Sequence, residues 1–256
     1  MQCYINSNKG SFRSDHEDNF ICMGKYLKNR EHSFAGSVSL QKEKWNLCGV
    51  FDGMGGTEQG EVASLFAAEE FFRCQEKMKD RSFKEKDAVD RLLRDAFLRT
   101  NNRIVETIRY SGTTATVLVL GDSMCKVYHL GDSRAFLIRD GSIRQLTKDQ
   151  TVETMKLEMG LQDQIREADR HRLTEFLGAD ETMQGILPVE SEWMSIEEKD
   201  CFVLCTDGLY EGCTPREILD TVLREKQKIQ EKIAALLVES ALRNKVKDNV
   251  TCLVIC

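Results

Sequence analysis

Between residues 114 and 146 the chain carries a run of short β signals with no stretch long enough for a helical crossover between them. Residues 114–120 are β-branched and apolar, and Gly121-Asp122 turns them into 124–130. Residues 134–139 then pass through Asp140-Gly141 into 142–146, and Asp-Gly between two such runs is a strong hairpin signal. Strands joined this closely pair antiparallel, so a doubly wound parallel sheet fits poorly.

The flanking segments complete the pattern. Strand signals open the chain at 2–8, 19–24, 33–40 and 45–51. Two helices should follow. The first, from about 58 to 79, is apolar on most sides over 62–72 and should be largely buried. In the second, Val89, Leu92, Leu93, Ala96, Phe97, Ile104 and Ile108 recur at helical spacing on one face. Residues from about 148 to 188 are polar and irregular, and such an excursion between strands reads as a functional flap. Strands near 190–194 and at 201–205, helices from Pro215 and over about 228–243, and a strand at 250–255 close the chain. Two antiparallel sheets with helices outside them satisfy this order. Pro188 and Pro215 are the only prolines, and there is no repeat or Gly/Ser-rich linker, so residues 1–256 are expected to form one domain.

A net charge of −6 repels nucleic-acid phosphates, so general DNA or RNA binding is not expected. No apolar run approaches the roughly 18 residues of a membrane span. The N-terminal residues lack a basic segment followed by an apolar one. A cytoplasmic protein is expected, and its ten cysteines should then be thiols rather than a disulfide framework. Cys201/Cys205 and Cys252/Cys256 are each four apart in strand-like runs, where they read as small buried hydrophobes rather than a zinc knuckle.

The acidic residues carry the chemistry. Asp52 ends the apolar run 47–51 and precedes Gly53-Met54-Gly55-Gly56. Asp132 ends 127–131, and Asp207 ends 201–206 and precedes Gly208. Asp248 stands just before the last strand, and Glu17 and Asp18 precede an early one. An unpaired charge at the tip of a buried strand is costly. Turn formation explains any one of these acids, as it explains Asp140-Gly141, but it explains the set poorly. If the strand ends converge, cations must offset the repulsion, and carboxylate oxygens suit Mg²⁺ or Mn²⁺. Gly53 and Gly55-Gly56 would let backbone approach a ligand, with the Gly53 carbonyl free to reach a metal.

Arg13 lies four residues before Glu17. Alone it reads as a surface arginine paired with that glutamate. Beside the acids it reads as a phosphate clamp, because a guanidinium holds phosphate by two parallel hydrogen bonds. There is no Gly-x-Ser-x-Gly elbow, no Cys-x5-Arg loop and no Gly-x4-Gly-Lys-Ser/Thr loop. His16 and His129 do not make a histidine-rich site, and His129 reads as structural. Carboxylates without a protein nucleophile point to a metal-activated water.

These pieces resemble the metal-dependent serine/threonine protein phosphatases of the type 2C class, especially compact bacterial members. Arg13-x3-Glu17-Asp18, Asp52-Gly53-Met54-Gly55-Gly56, Gly112-Thr113-Thr114-Ala115, Gly131-Asp132-Ser133-Arg134, Thr206-Asp207-Gly208-Leu209 and Asp248-Asn249-Val250-Thr251 stand in the family's order over nearly the whole chain. The resemblance implies an α+β fold, an α-β-β-α sandwich with the metals at one edge. It implies that Asp52 bridges two Mn²⁺ or Mg²⁺ ions and that Asp207 and Asp248 complete one of them. Glu17, Asp18 and the Gly53 carbonyl would serve the other, partly through water. Asp132 with Asp207 would hold a third, weaker ion, and Arg13 would hold the phosphate. A bridging water or hydroxide would attack phosphorus in line, with no phosphoenzyme.

Phosphoserine and phosphothreonine proteins are the implied substrates, and a partner kinase is implied with them. Met54 stands where many eukaryotic members have a histidine acting as general acid, although bacterial members often have methionine there. The flap matches the family only at Leu146-Thr147-Lys148-Asp149 and at 173–178. The rival reading, a regulatory relative that binds a phosphoprotein without turnover, would normally have lost metal aspartates, and none is missing.

Overall fold

The computed structural model describes residues 1–28, 33–55, 59–80, 83, 85–108, 110–179 and 186–256. The chain opens with β1 (Gln2–Asn8), β2 (Asp18–Cys22), β3 (Ser33–Ser39) and β4 (Asn46–Gly55). Helices α1 (Gly60–Met78) and α2 (Lys86–Thr107) follow. The central run is β5 (Ser111–Thr113), β6 (Ala115–Leu120), β7 (Met124–Leu130), β8 (Arg134–Arg139) and β9 (Ser142–Gln145). Within the flap lie α3 (Val152–Glu158) and two 3₁₀ turns, Gln162–Gln164 and Glu167–Asp169. Then come β10 (Val189–Glu190), β11 (Met194–Ser195), β12 (Cys201–Cys205), α4 (Asp207–Gly212), α5 (Pro215–Lys226), α6 (Ile233–Arg243) and β13 (Val250–Ile255).

The strands form two antiparallel sheets. One runs β3-β1-β13-β12-β8-β9, and the other β10-β7-β6-β4-β2, with β11 on β7 and β5 on β4. Phe20, Val50, Leu118, Phe202 and Leu253 pack between the sheets. Phe51, Phe71, Phe97 and Tyr128 join the second sheet to α1 and α2. Val203, Leu219, Val222, Leu237 and Val254 join the first sheet to α5 and α6. Both faces of each sheet are thus covered, which is why β6, β12 and β13 read as unbroken apolar runs and are buried at every position. Each large side chain so buried contributes about 1.5–3 kcal/mol. This is the sandwich expected from the sequence. Among the described residues no helix is long and apolar enough to cross a membrane.

Local chemistry sets several boundaries. Asp140 and Gly141 both have positive φ, 50° and 72°, as a two-residue hairpin whose twist matches its strands requires. Helix α5 starts where Thr214 and Glu217 form a reciprocal capping box with Pro215 in the first turn.

Other boundaries differ from the sequence reading. β4 runs past Phe51 to Gly55, because Asp52 pairs with Asp18 on β2 and Gly53–Gly55 pair with β5. The strand expected near 190–194 is two short pieces on β7. The helix expected from 228 begins at Ile233, after a 3₁₀ turn. Asp207-Gly208 opens a short helix, α4, where the sequence reading placed no element. Gly56, the start of the first helix at Glu58, and flap residues 180–185 lie outside the described residues.

The cysteines need one correction. Cys201 and Cys256 are joined in a disulfide, against the expectation of thiols throughout. The register that sets Phe202 opposite Ile255 brings these two strand ends together, and spacing along the chain does not show it. The other eight cysteines are free and buried, as expected.

Candidate active site

The pairing of β2 with β4 places Asp18 directly opposite Asp52. Both backbones are pinned. The Gly53 amide donates to the Glu17 carbonyl at 3.1 Å, and the Thr114 amide donates to the Asp52 carbonyl at 2.9 Å. The Thr114 hydroxyl accepts from the Asp52 amide at 3.0 Å and meets Ser133 Oγ at 2.7 Å. Threonine and serine in the 112–115 and 131–134 motifs thereby hold the strand that carries Asp52.

β12 and β13 are neighbours in the facing sheet, which brings Asp207 and Asp248 to the same edge. Thr206, just before Asp207, donates its hydroxyl to Asp18 Oδ2 at 2.8 Å and so links the two sheets. Asp132 lies in the turn between β7 and β8 and is buried. Gly131 before it has φ +104°, and a Cβ there would lie 2.6 Å from Thr114 Cγ2, so this turn requires glycine.

Arg13 sits at the rim with about half of its side chain exposed. Its Nη2 is 2.5 Å from Asp248 Oδ2, whereas Nη1 is 4.0 Å from Glu17 Oε2. Asp248, not Glu17, is therefore its main partner. Asn249 is the residue here that the sequence reading quoted without assigning a role. Its Oδ1 accepts from the Glu17 amide at 2.7 Å, and its Nδ2 donates to the carbonyls of Lys9 and Asp15. It thus fastens the β1–β2 loop, with Arg13 and Glu17, beside Asp248. An asparagine after an aspartate signals only a turn, so sequence alone could not reveal this.

Arg13, Glu17, Asp52, Gly53, Asp132, Asp207 and Asp248 all line one cavity of about 790 Å³. Asp18 lies beneath it, 3% exposed. Met54, Thr114, His171, Leu173, Glu211 and Lys247 also line it. His171 comes from the flap and Glu211 from the unforeseen helix α4, both outside the motifs read from the sequence. His129 is buried with Thr116 Oγ1 2.8 Å from Nδ1 and the Lys148 carbonyl 3.1 Å from Nε2, a structural setting as expected.

The cluster is electrostatically costly as it stands. Burial, and then the charges of Asp207, Asp18, Asp132 and Asp248, push Asp52 far above the usual carboxylate range. Burial and then Asp132 and Asp248 do the same to Asp207. Burial raises Asp18 to about 7 despite hydrogen bonds from Thr251 and Thr206. Asp132 rises to about 6, through burial and then Asp149. Asp207 Oδ1 is buried with no hydrogen-bond partner. Oxygen donors held close, mutually repelling and partly unsatisfied suit hard divalent cations. Gly53 must be glycine for a packing reason, since a Cβ there would lie 2.1 Å from the Gly60 carbonyl oxygen and 2.6 Å from that of Glu17.

Flap and cleft are joined by Arg134, whose Nε and Nη2 grip Asp149 at 3.0 and 2.6 Å while its guanidinium lies 3.5 Å from the Tyr210 ring centre. The return of the flap is anchored through Thr113 and Leu177, which exchange backbone hydrogen bonds of 2.9 Å.

Known proteins share this arrangement of strands. A family model described as protein phosphatase 2C matches residues 6–156 and 188–250. A serine/threonine phosphatase, Stp, from Listeria welshimeri is 25% identical over 100% of this chain and 95% of its own length. The solved structure of the S. agalactiae serine/threonine phosphatase superposes with a TM-score of 0.79 at 21% identity, over 99% of both chains. The catalytic domain of the phosphatase PstP, solved with two manganese ions, gives a TM-score of 0.74 at 25% identity, over 98% of this chain and 97% of that one.

Proposed function

The chain belongs to the protein phosphatase 2C family and is a serine/threonine phosphatase, and from that premise we propose that it hydrolyses phosphoserine and phosphothreonine on proteins with a water activated between two divalent cations. The observation that carries this reading is the convergence of Asp52, Asp132, Asp207 and Asp248 on one cavity with Arg13 at its rim. The family is metal-dependent, and Mn²⁺ or Mg²⁺ suits the all-oxygen donor set. Asp52, Asp207 and Asp248 would hold one ion; Asp52, Glu17, Asp18 and the Gly53 carbonyl would hold the other. Asp132 with Asp207 would hold a weaker third. When bound, such a pair acidifies a shared water and neutralises charge on the phosphoryl group.

The protein's own part is positioning. Arg13 turns from Asp248 to the substrate phosphate, which it grips by two nitrogens. Thr206 orients Asp18, and Thr114 fixes the strand under Asp52. Asn249 ties the Glu17 backbone beside Asp248, whose Oδ1 accepts from the Asn249 amide. Met54 has no proton to give, so the leaving alkoxide must take its proton from solvent in the site. The chain acts as one catalytic domain, in the cytoplasm, opposite a kinase that makes its phosphoprotein substrates. Hydrolysis of a phosphothreonine peptide in ¹⁸O-water tests the direct attack. One solvent oxygen per phosphate and no phosphorylated protein on acid quench are expected; a phosphoenzyme would refute it.

A further inference from the structure

Three cysteines meet at one point in the layer between the two sheets. Cys3 is on β1 of the first sheet, and Cys22 and Cys48 stand opposite each other on β2 and β4 of the second. Their sulfurs all lie within 4.8 Å of one another, and those of Cys22 and Cys48 are 3.5 Å apart. All three residues are fully buried. Among the described residues no other group of three cysteines comes this close. The cluster is separate from the acids. Cys22 and Cys48 lie four residues from Asp18 and Asp52 along β2 and β4, about 13 Å at the rise of a strand.

Packing as small hydrophobes accounts for each of these cysteines alone. It does not account for their electrostatics. Hydrogen bonds from Cys3 and then Cys48 hold the Cys22 thiol down to about 5, although burial opposes this. Cys3 is pushed well up by burial and then by its bond to Cys22, and Cys48 first by its bond to Cys22. One thiolate is thus held by two thiols in a layer lined by Phe20, Val50, Leu118 and Leu253. The exposed Lys25 adds only a weaker attraction. A buried charge without a close counter-charge is costly, and an electrophile that bonds all three sulfurs removes it.

Donor count and charge narrow the choice of electrophile. Zinc takes four ligands in a structural site, whereas the cluster offers three and no exposed face to admit a water. Three thiolates would also leave Zn²⁺ with one net negative charge and Cu⁺ with two, in a dry layer. As(III) forms three bonds and carries no net charge with three thiolates. Thiolate bonds of about 2.3 Å to one atom set two sulfurs about 3.4–3.8 Å apart, which the 3.5 Å between Cys22 and Cys48 already meets.

We infer that Cys3, Cys22 and Cys48 form a tris-thiolate site for a trivalent arsenical, with arsenite as the ligand that binds there. Arsenite arrives as As(OH)₃, small and uncharged at neutral pH, and so crosses the apolar layer as the sandwich breathes, where a hydrated cation would not. Three As–S bonds replace three As–O bonds. The two thiol protons and one from solvent leave with the hydroxides as three waters, and no oxidation state changes. Bound arsenic ties β1 to β2 and β4 and so fastens one sheet to the other. The site does not depend on the phosphatase reading.

The test uses the whole chain with its Cys201–Cys256 disulfide intact, incubated with sodium arsenite and read by native mass spectrometry and arsenic K-edge X-ray absorption. A single adduct weighing one arsenic less three hydrogens is expected, with three sulfur neighbours and no oxygen. Cys3→Ser, Cys22→Ser and Cys48→Ser should each lose the three-sulfur signal with the circular dichroism spectrum unchanged. Cys48→Ala repeats the test where the serine variant does not fold, since alanine buries no polar atom. Cys74→Ser and Cys201→Ser should keep the adduct, because those sulfurs lie outside the cluster. Excess Zn²⁺ should not displace it. Refolding with arsenite present should give the same adduct, so slow entry cannot hide the site. No adduct by either route, a two-sulfur adduct, displacement by zinc, or an unchanged adduct in the Cys48 variants would overturn the proposal and leave three core thiols.

Discussion

Removing the metals should invert the pH dependence of stability at Asp18, and Asp18→Asn isolates that effect. Asp18 is buried and its carboxyl is raised from 3.8 to about 7. A carboxyl raised on folding is neutral in the native state and ionised in the unfolded one across that window. Its contribution is intact below pH 3.8 and is lost as pH rises through 7. The full loss is about 4 kcal/mol, and about 3 kcal/mol of it falls between pH 5 and pH 8. The asparagine of the variant would keep an acceptor for the Thr206 hydroxyl and cannot ionise. In EDTA, therefore, the stability of Asp18→Asn relative to wild type should rise by about 3 kcal/mol from pH 5 to pH 8. For a chain of this size that is roughly 6–12 °C in Tm. His129, which burial holds down to about 4, slopes the other way up to pH 6.5, but it is common to both proteins and cancels in the difference. In saturating Mn²⁺ the sign should reverse, because metal binds the carboxylate and wild type gains with pH. Thermal melts of both proteins at pH 5, 6, 7 and 8, in EDTA and in Mn²⁺, decide the matter. Parallel curves in EDTA would refute the reasoning.

Three substitutions extend the account. Gly53→Ala forces a Cβ against the carbonyls of Gly60 and Glu17; it should cost about 1–3 kcal/mol in metal-free melts and weaken Mn²⁺ binding at least ~10-fold by calorimetry. Arg13→Ala should lower kcat/KM for a phosphopeptide ~10–100-fold, the worth of charge-assisted hydrogen bonds, while Mn²⁺ affinity holds; an unchanged kcat/KM would return Arg13 to a surface ion pair. Arg134→Ala leaves Asp149 without its bidentate partner and Tyr210 without its stacked cation, so amide exchange over 148–158 should speed up before the rest of the chain.

Much of the sandwich was legible because its signals are local. The hairpin at Asp140-Gly141, the helical face of Val89 to Ile108 and the apolar strands 201–205 and 250–255 each declare themselves within a few residues. The convergence of Asp52, Asp132, Asp207 and Asp248 was legible only as a set, since each alone is a turn residue. What sequence could not show depends on register. Asp18 opposite Asp52, the extension of β4 to Gly55 and the Cys201–Cys256 disulfide all arise from which strands lie side by side. The short helix α4 was hidden because Asp207-Gly208 is a strong turn signal; there Gly208 instead packs against Asn249, whose carbonyl oxygen would sit 2.0 Å from an added Cβ. Arg13 was legible as a residue of the acidic cleft, but its partner Asp248, 235 residues away, was not.

The most direct test of the central claim is hydrolysis of p-nitrophenyl phosphate and of a phosphothreonine peptide, with Mn²⁺ and with EDTA, by wild type and Asp207→Asn. The two-metal account predicts Mn²⁺-dependent turnover of both substrates, abolished by EDTA, restored by added Mn²⁺ and reduced at least ~100-fold in Asp207→Asn. Folded, Mn²⁺-loaded wild type that turns over neither substrate, or Asp207→Asn as active as wild type, would contradict it.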